Sequence, residues 1–213
     1  TILIDNRLLK RMPTEEIILT SQEAAELAEE LQTQIQTGEI SKSNEKQIKL
    51  MIAGLGDSRG LLRRTFAEGL GKVGKSALLG LSKALLFSKN VTVRRAAAKT
   101  LKLVGDPAAV PFLLQALTND KDPVVQGSSA GAIAIFGEEA VEPLIEVLIN
   151  PKSTSMQCGL ATWGLAFIGA EAPNALKKAA HSKNEKIRSA AIAALGEQIQ
   201  CLGDKEARHL LLN

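Results

Sequence analysis

Apolar positions along this chain recur at helical spacing. Val110, Leu113, Leu114 and Leu117 form one such set, and Val141, Leu144, Ile145 and Leu148 another. Both follow the i, i+3, i+4, i+7 pattern of an amphipathic helix. No segment alternates apolar and polar residues for long enough to require a sheet. A longer period lies on top of the helical one. Four segments open on Leu62-Arg63, Val93-Arg94, Val125-Gln126 and Gln157-Cys158 and run to Gly74, Gly105, Gly137 and Gly169, glycines that are 31, 32 and 32 residues apart. A fifth copy begins at Ile187-Arg188 and is stretched between Ile199 and Gly203. A fixed period of this length marks stacked supersecondary units. The expected fold is all-α, a right-handed α-solenoid of about five helical pairs over residues 56–213 with an N-terminal helical cap.

Each unit reads as two helices. The first is rich in small residues, such as Ala96, Ala97 and Ala98, that allow close helix approach. Leu70, Leu101, Ile133, Leu165 and Leu195 share one repeat position and should line the core. The repeat glycines are expected to end their helices in the left-handed conformation. Pro111, Pro143 and Pro173 are expected to open the helices that come next. Ahead of the repeats, Thr20-Ser21-Gln22-Glu23 starts a helical stretch that Gly38 ends. Ser41 or Ser43 is placed to cap the next helix, which carries Ile48, Leu50, Met51, Ile52 and Leu55. Residues 20–55 thus read as a cap on the first repeat. Residues 1–19, with apolar clusters at Ile2 to Ile4, Leu8, Leu9 and Ile17 to Leu19, read as an extended arm, docked on the body or reaching a partner.

Charge changes the picture most. The net charge of +3 is unevenly spread: residues 51–119 hold 11 Lys and Arg against 3 Asp and Glu, and both flanks are acidic. Such a band favours an acidic protein, or the carboxylates or phosphates of a small ligand. Arg63, Arg94 and Arg188 share the position that Gln126 and Cys158 take in units three and four. Pairing with turn aspartates (Asp57, Asp106, Asp204) is the expected role there. Arg64 and Arg95, which the repeat does not explain, join Lys99 and Lys102 as the candidate partner-binding residues, with Arg63 and Arg94 beside them.

Catalytic chemistry is not indicated. His181 and His209 have no ligand partner one turn away, so neither a metal nor a catalytic site is expected. Gly69, Gly71 and Gly74 spell a dinucleotide-type glycine string but lie inside a helical repeat. The single tryptophan and five phenylalanines are too few for stacking single-stranded nucleic acid, and no nucleic-acid partner is expected. Cys158 and Cys201 have no metal spacing and suit a reducing compartment. Cys158 with Trp163 breaks the repeat in unit four, either as core packing or as a ligand or thiol contact. No apolar run is long enough to cross a bilayer, and no signal peptide is read at the start.

The segments VTVRRAAAKTLKLVGDPAAVPFLLQAL (91–117) and DPVVQGSSAGAIAIFGEEAVEPLIEVL (122–148) resemble HEAT-like repeats of the phycobilin lyase type. The Val-Arg-x-x-Ala-Ala core, the Gly-Asp-Pro turn and the proline-led second helix carry the resemblance, which covers about residues 56–213. Relatives of this type include the paired E/F-type lyases, which attach bilins to phycobiliprotein cysteines, and factors for phycobilisome turnover. Another is the single-chain protein that binds the A-type iron–sulfur carrier, which the acidic leader resembles most. The resemblance implies a binding scaffold or assembly factor of the photosynthetic apparatus. Its concave face and basic band would grip a phycobiliprotein or photosystem subunit. A bilin lyase is the alternative, and an iron–sulfur assembly scaffold the second alternative. It implies no stably bound cofactor, transient phycobilin contact at most, and a place in the cytoplasm, at the thylakoid face, or in the plastid stroma.

Overall fold

The computed structural model describes residues 17–169 and 173–201, with the backbone alone at 173, 175 and 197–201. Eleven α-helices and no strand occur among the described residues. The chain divides into two compact units at Asp106/Pro107. The expectations for the arm at residues 1–16, for Asp204, Gly203 and His209, and for the side chains of Ile199 and Cys201 lie outside the described residues.

The first unit holds five helices: α1 Ser21–Thr37, α2 Glu45–Gly54, α3 Gly60–Val73, α4 Lys75–Phe87 and α5 Val91–Val104. The leader is itself a helical pair. Thr20 caps α1 in a reciprocal box with Glu23, which satisfies two orphan donors of the first turn. Asn44 with Gln47 does the same for α2. The expected serine caps are thus displaced: the Ser41 and Ser43 hydroxyls donate to the carbonyls of Gly38 and Ile40, closing the 3-10 turn between the helices. Both α1 and α2 pack on α3, and α2 also packs on α4. Leu31, Ile40 and Met51 are thereby buried with Phe66 and Leu70 of α3. The leader therefore covers the first repeat.

The second unit holds α6 Val110–Asn119, α7 Pro123–Ile133, α8 Glu138–Ile149, α9 Ser155–Ile168, α10 Pro173–Ala180 and α11 Glu185–Cys201. Helices α7, α9 and α11 pack side by side in one layer, and α6, α8 and α10 in the other. Ile133 and Leu165 are fully buried, as are Leu70 and Leu101 in the first unit. Leu195 is only half-buried. Ala191 and Ala194 take the core positions of α11.

Two expectations about helix ends are corrected. Of the repeat glycines only Gly105 is left-handed at φ 69°, ψ 15°. Gly74 and Gly137 pair positive φ with ψ near −130° because the next helix begins at the very next residue. The chain must change direction within a single residue there, in a backbone region open only to glycine. Gly169 stays right-handed. Pro173 does open a helix and Pro111 lies in the first turn of α6, but Pro143 falls inside α8. Gly137 starts that helix early, at Glu138, so Pro143 sacrifices one internal hydrogen bond.

Candidate functional site

The repeated arginine has a structural job. Arg63 Nη1 donates to the carbonyl of Asp57 at 2.5 Å, Arg94 Nη1 to that of Ser88 at 3.1 Å, and Arg188 Nη1 to that of Ser182 at 2.9 Å. Gln126 Nε2 does the same to Asp120 at 2.6 Å. Each reaches six residues back and ties its helix to the loop before it. The shared acceptor is a backbone carbonyl. The Asp57 carboxylate is instead gripped by Arg59, with Nε 2.9 Å from Oδ1 and Nη2 2.8 Å from Oδ2. These contacts hold the Asp57 pKa down at about 2. Arg59 Nη2 also donates to the carbonyl of Ser21, tying the loop to the start of α1.

A loop motif around these clamps escapes a reading of helices alone. Ser88-Lys89-Asn90, Asp120-Lys121-Asp122 and Ser182-Lys183-Asn184 recur ahead of α5, α7 and α11. The side chain of the first residue accepts the N–H of the third, and the third accepts an N–H in the first turn of the helix. The SKN, DKD, SKN spacing is the signal of it in the sequence. In unit four the loop is longer and Cys158 takes the clamp position. Gln157, beside it, reaches the carbonyl of Thr118 at 2.9 Å instead.

Arg95, Lys99 and Lys102 stand at i, i+4 and i+7 on α5 and so share one face. The two lysines are exposed, and so is Arg64 on the adjacent α3. Leu61 and Leu103, both more than half exposed, interrupt the charges with apolar surface. The glycine string is absorbed by packing. A Cβ on Gly69 would lie 3.1 Å from Met51 Sδ, one on Gly71 would lie 2.9 Å from Leu103 Cβ, and Gly74 makes the one-residue junction described above.

Cys158 and Trp163 are not brought together: five residues along a helix turn its face by roughly 140°. Cys158 is half-buried, while Trp163 is 51% exposed and stacks on Phe167 at 5.7 Å between centroids. Met156, Leu160, Trp163 and Phe167 form a single apolar stripe along α9. Leu160 and the Trp163 ring lie over Gly127 and Gly131 of α7, where a Cβ would just touch them at 3.9 Å. Only Trp163 of this stripe stands out in the sequence, although the 4-3-4 spacing of all four residues is present there. His181 is exposed, with Nδ1 2.8 Å from the carbonyl of Lys177. No group of three His, Cys, Asp or Glu suited to a metal, and no helix long and apolar enough to cross a membrane, occurs among the described residues.

The first unit also contains an open cavity of about 570 Å³. Leu19, Ile52, Ala53, Ala84 and Val93 supply apolar walls, and Lys49, Lys83 and Lys89 supply charge. Lys83 and Lys89 belong to the basic band of the sequence, but nothing in the linear pattern joins them to Lys49 of the acidic leader.

The profile for HEAT repeats matches residues 48–134 and 78–157. Over 195 residues, 92% of its length, the chain is 48% identical to the bilin biosynthesis protein MpeU of Synechococcus sp. (strain WH8020). It spans 66% of that relative's length. A solved structure of the complex of CpcE and CpcF of phycocyanin lyase from Nostoc sp. PCC7120 aligns with a TM-score of 0.49 at 19% identity, covering 71% of this chain and 99% of that one.

Proposed function

The chain belongs to the HEAT-repeat family, and on that footing we propose that it acts in phycobilin attachment, as a lyase-type protein that holds a bilin and presents it to a phycobiliprotein cysteine. The observation that carries this is the 48% identity to a bilin biosynthesis protein over 92% of the chain. That identity favours bilin attachment over the readings in which the client is a photosystem subunit or an iron–sulfur carrier. The surfaces described above suit the task. The Arg95, Lys99 and Lys102 stripe matches an acidic client, and the Trp163–Phe167 pair offers a flat apolar platform. The thiol that becomes bonded to the bilin belongs to the client, so no nucleophile is required of this chain. A protein-binding scaffold is contained in this reading, because attachment requires that client and pigment be held together. The work would take place where phycobiliproteins mature, in the cytoplasm or plastid stroma beside the thylakoid.

The test combines purified chain, a free phycobilin and an apo-phycobiliprotein subunit, and follows covalent bilin on the denatured subunit by absorbance and fluorescence. Attachment faster than, or at a different cysteine from, the spontaneous reaction is the expected result. An attachment rate and site identical to those without the chain would overturn the proposal.

A further inference from the structure

Helix α9 is apolar on its outer side as well as its inner one. It packs on α7, α8 and α11, burying Ala161, Leu165 and Ile168. Met156, Trp163 and Phe167 nevertheless stand 44%, 51% and 54% exposed. Neither α9, SMQCGLATWGLAFI, nor the neighbouring α7, PVVQGSSAGAI, contains a charged residue. A surface helix ordinarily turns a charged face to water, and a helix that is apolar all round is a buried one. The outer side of α9 thus has the composition of an interface.

Its spacing fits one kind of partner. Met156, Leu160, Trp163 and Phe167 alternate steps of four and three, the period at which one helix presents a seam to another. The seam runs about 16 Å, three helical turns. Small residues beside it leave room for a second backbone. Gly159, Thr162 and Ala166 flank it on α9, and a Cβ on Gly159 would meet nothing within 4 Å. Four partly covered side chains fall far short of the roughly 800 Å² per partner of a standard interface. The seam therefore accounts for one helix contact and does not by itself hold two copies of the chain together. With no charged residue on α7 or α9, a charge buried against them would go unpaired, at high cost. The facing residues of the partner must then be uncharged.

We propose that the α9 seam docks an amphipathic α-helix of a partner protein, one whose facing stripe is apolar and uncharged. On the bilin-attachment reading above, that partner is the phycobiliprotein subunit. The proposal rests on that reading for the partner's identity, and on the seam for the place and kind of contact.

The experiment replaces Met156 in one variant of the full chain and Phe167 in another by the photo-crosslinker p-benzoylphenylalanine. Each is irradiated with an apo-phycobiliprotein subunit, and the crosslinks are mapped by mass spectrometry. The two sets should fall on the apolar stripe of one subunit helix, roughly eleven residues apart. Met156→Glu should weaken subunit binding at least about tenfold, because its carboxylate is buried without a partner. Met156 lies in the first turn of α9, where a carboxylate suits the helix dipole, so this variant should fold; circular dichroism checks it. Met156→Leu should bind as the wild type does. The attachment assay runs in parallel. If Met156→Glu binds the subunit as the wild type does while the wild type promotes attachment, the docking assignment is wrong and the function stands. If crosslinks and affinities follow the expected pattern but attachment is not promoted, the attachment reading fails and the docking site stands. Crosslinks between two copies of the chain, with self-association at the same concentration, would make a second copy the occupant and overturn the proposal. Crosslinks to free phycobilin in place of the subunit would overturn it too. No binding of the subunit by the wild type overturns both.

Discussion

Gln126 donates from Nε2 to the carbonyl of Asp120 across 2.6 Å, in the place where Arg63, Arg94 and Arg188 make the same bond in their own repeats. An uncharged amide substitutes for a guanidinium, so what the repeat requires at this position is a donor. Gln126→Ala leaves a partly buried carbonyl without this donor and should cost about 1–2 kcal/mol. Gln126→Arg should retain most of that stability. Urea denaturation of both variants checks the claim, and equal losses for the two would contradict it.

Asp57 and Arg59 give the first unit a defined acid sensitivity. The folded-state pKa of Asp57, about 2, lies below its ordinary value of 3.8 because Arg59 hydrogen-bonds and neutralises the carboxylate, with a smaller contribution from Arg63. A depressed carboxylate contributes stability that is fully present above the unfolded value. It is lost as pH falls from about 4 toward 2. Arg59 is 40% exposed, and solvent screening limits the contribution to about 1–2 kcal/mol. Asp57→Asn should lower the melting temperature at pH 7 and lower it by only about a third as much at pH 2.5, where the carboxylate is part-way through its folded-state titration. An equal drop at both values would show that packing, and not charge, is what the substitution removes.

Much of the fold is readable from the chain because the repeat sets where each helix lies and which face it buries. Leu70, Leu101, Ile133 and Leu165 are in the core at their shared position. Helix ends are harder, since Gly74, Gly105, Gly137 and Gly169 occupy one repeat position with three different backbone conformations. The residues after each glycine decide its ψ: an immediate helix after Gly74 and Gly137, an aspartate and a 3-10 turn after Gly105. Of the candidate residues, the α5 stripe is readable from spacing alone. The cavity is not, because Lys49, Lys83 and Lys89 come from separate elements and meet only through packing.

Trp163 is the only tryptophan in the chain and stacks on Phe167 with both rings about half exposed. Its emission therefore reports directly on the α9 stripe. Docking of an apolar partner there should shift that emission to the blue, as water leaves the indole. Trp163→Ala should cost on the order of 0.5–1.5 kcal/mol of stability for the lost ring pair, and weaken the docking by more. If the emission does not move at saturating client, the stripe is not part of the client surface.

The basic face of α5 makes the sharpest claim about the client. Lys99 and Lys102 are exposed, so reversing them touches no core contact and should shift the melting temperature by no more than about 2–4 °C, as about 0.5 kcal/mol for each surface substitution implies. Client binding, in contrast, should fall at least about tenfold for Lys99→Glu with Lys102→Glu, because opposed like charges at an interface cost several kcal/mol. Arg64→Glu with Arg95→Glu should act in the same direction. Raising salt should weaken the wild type and narrow the gap between wild type and variants, since exposed charges are screened over a Debye length of about 8–10 Å. Binding measured in low salt to an apo-phycobiliprotein subunit decides it. Unchanged affinity in both double variants would remove the stripe from the client surface and leave the apolar face of α9 as the remaining candidate.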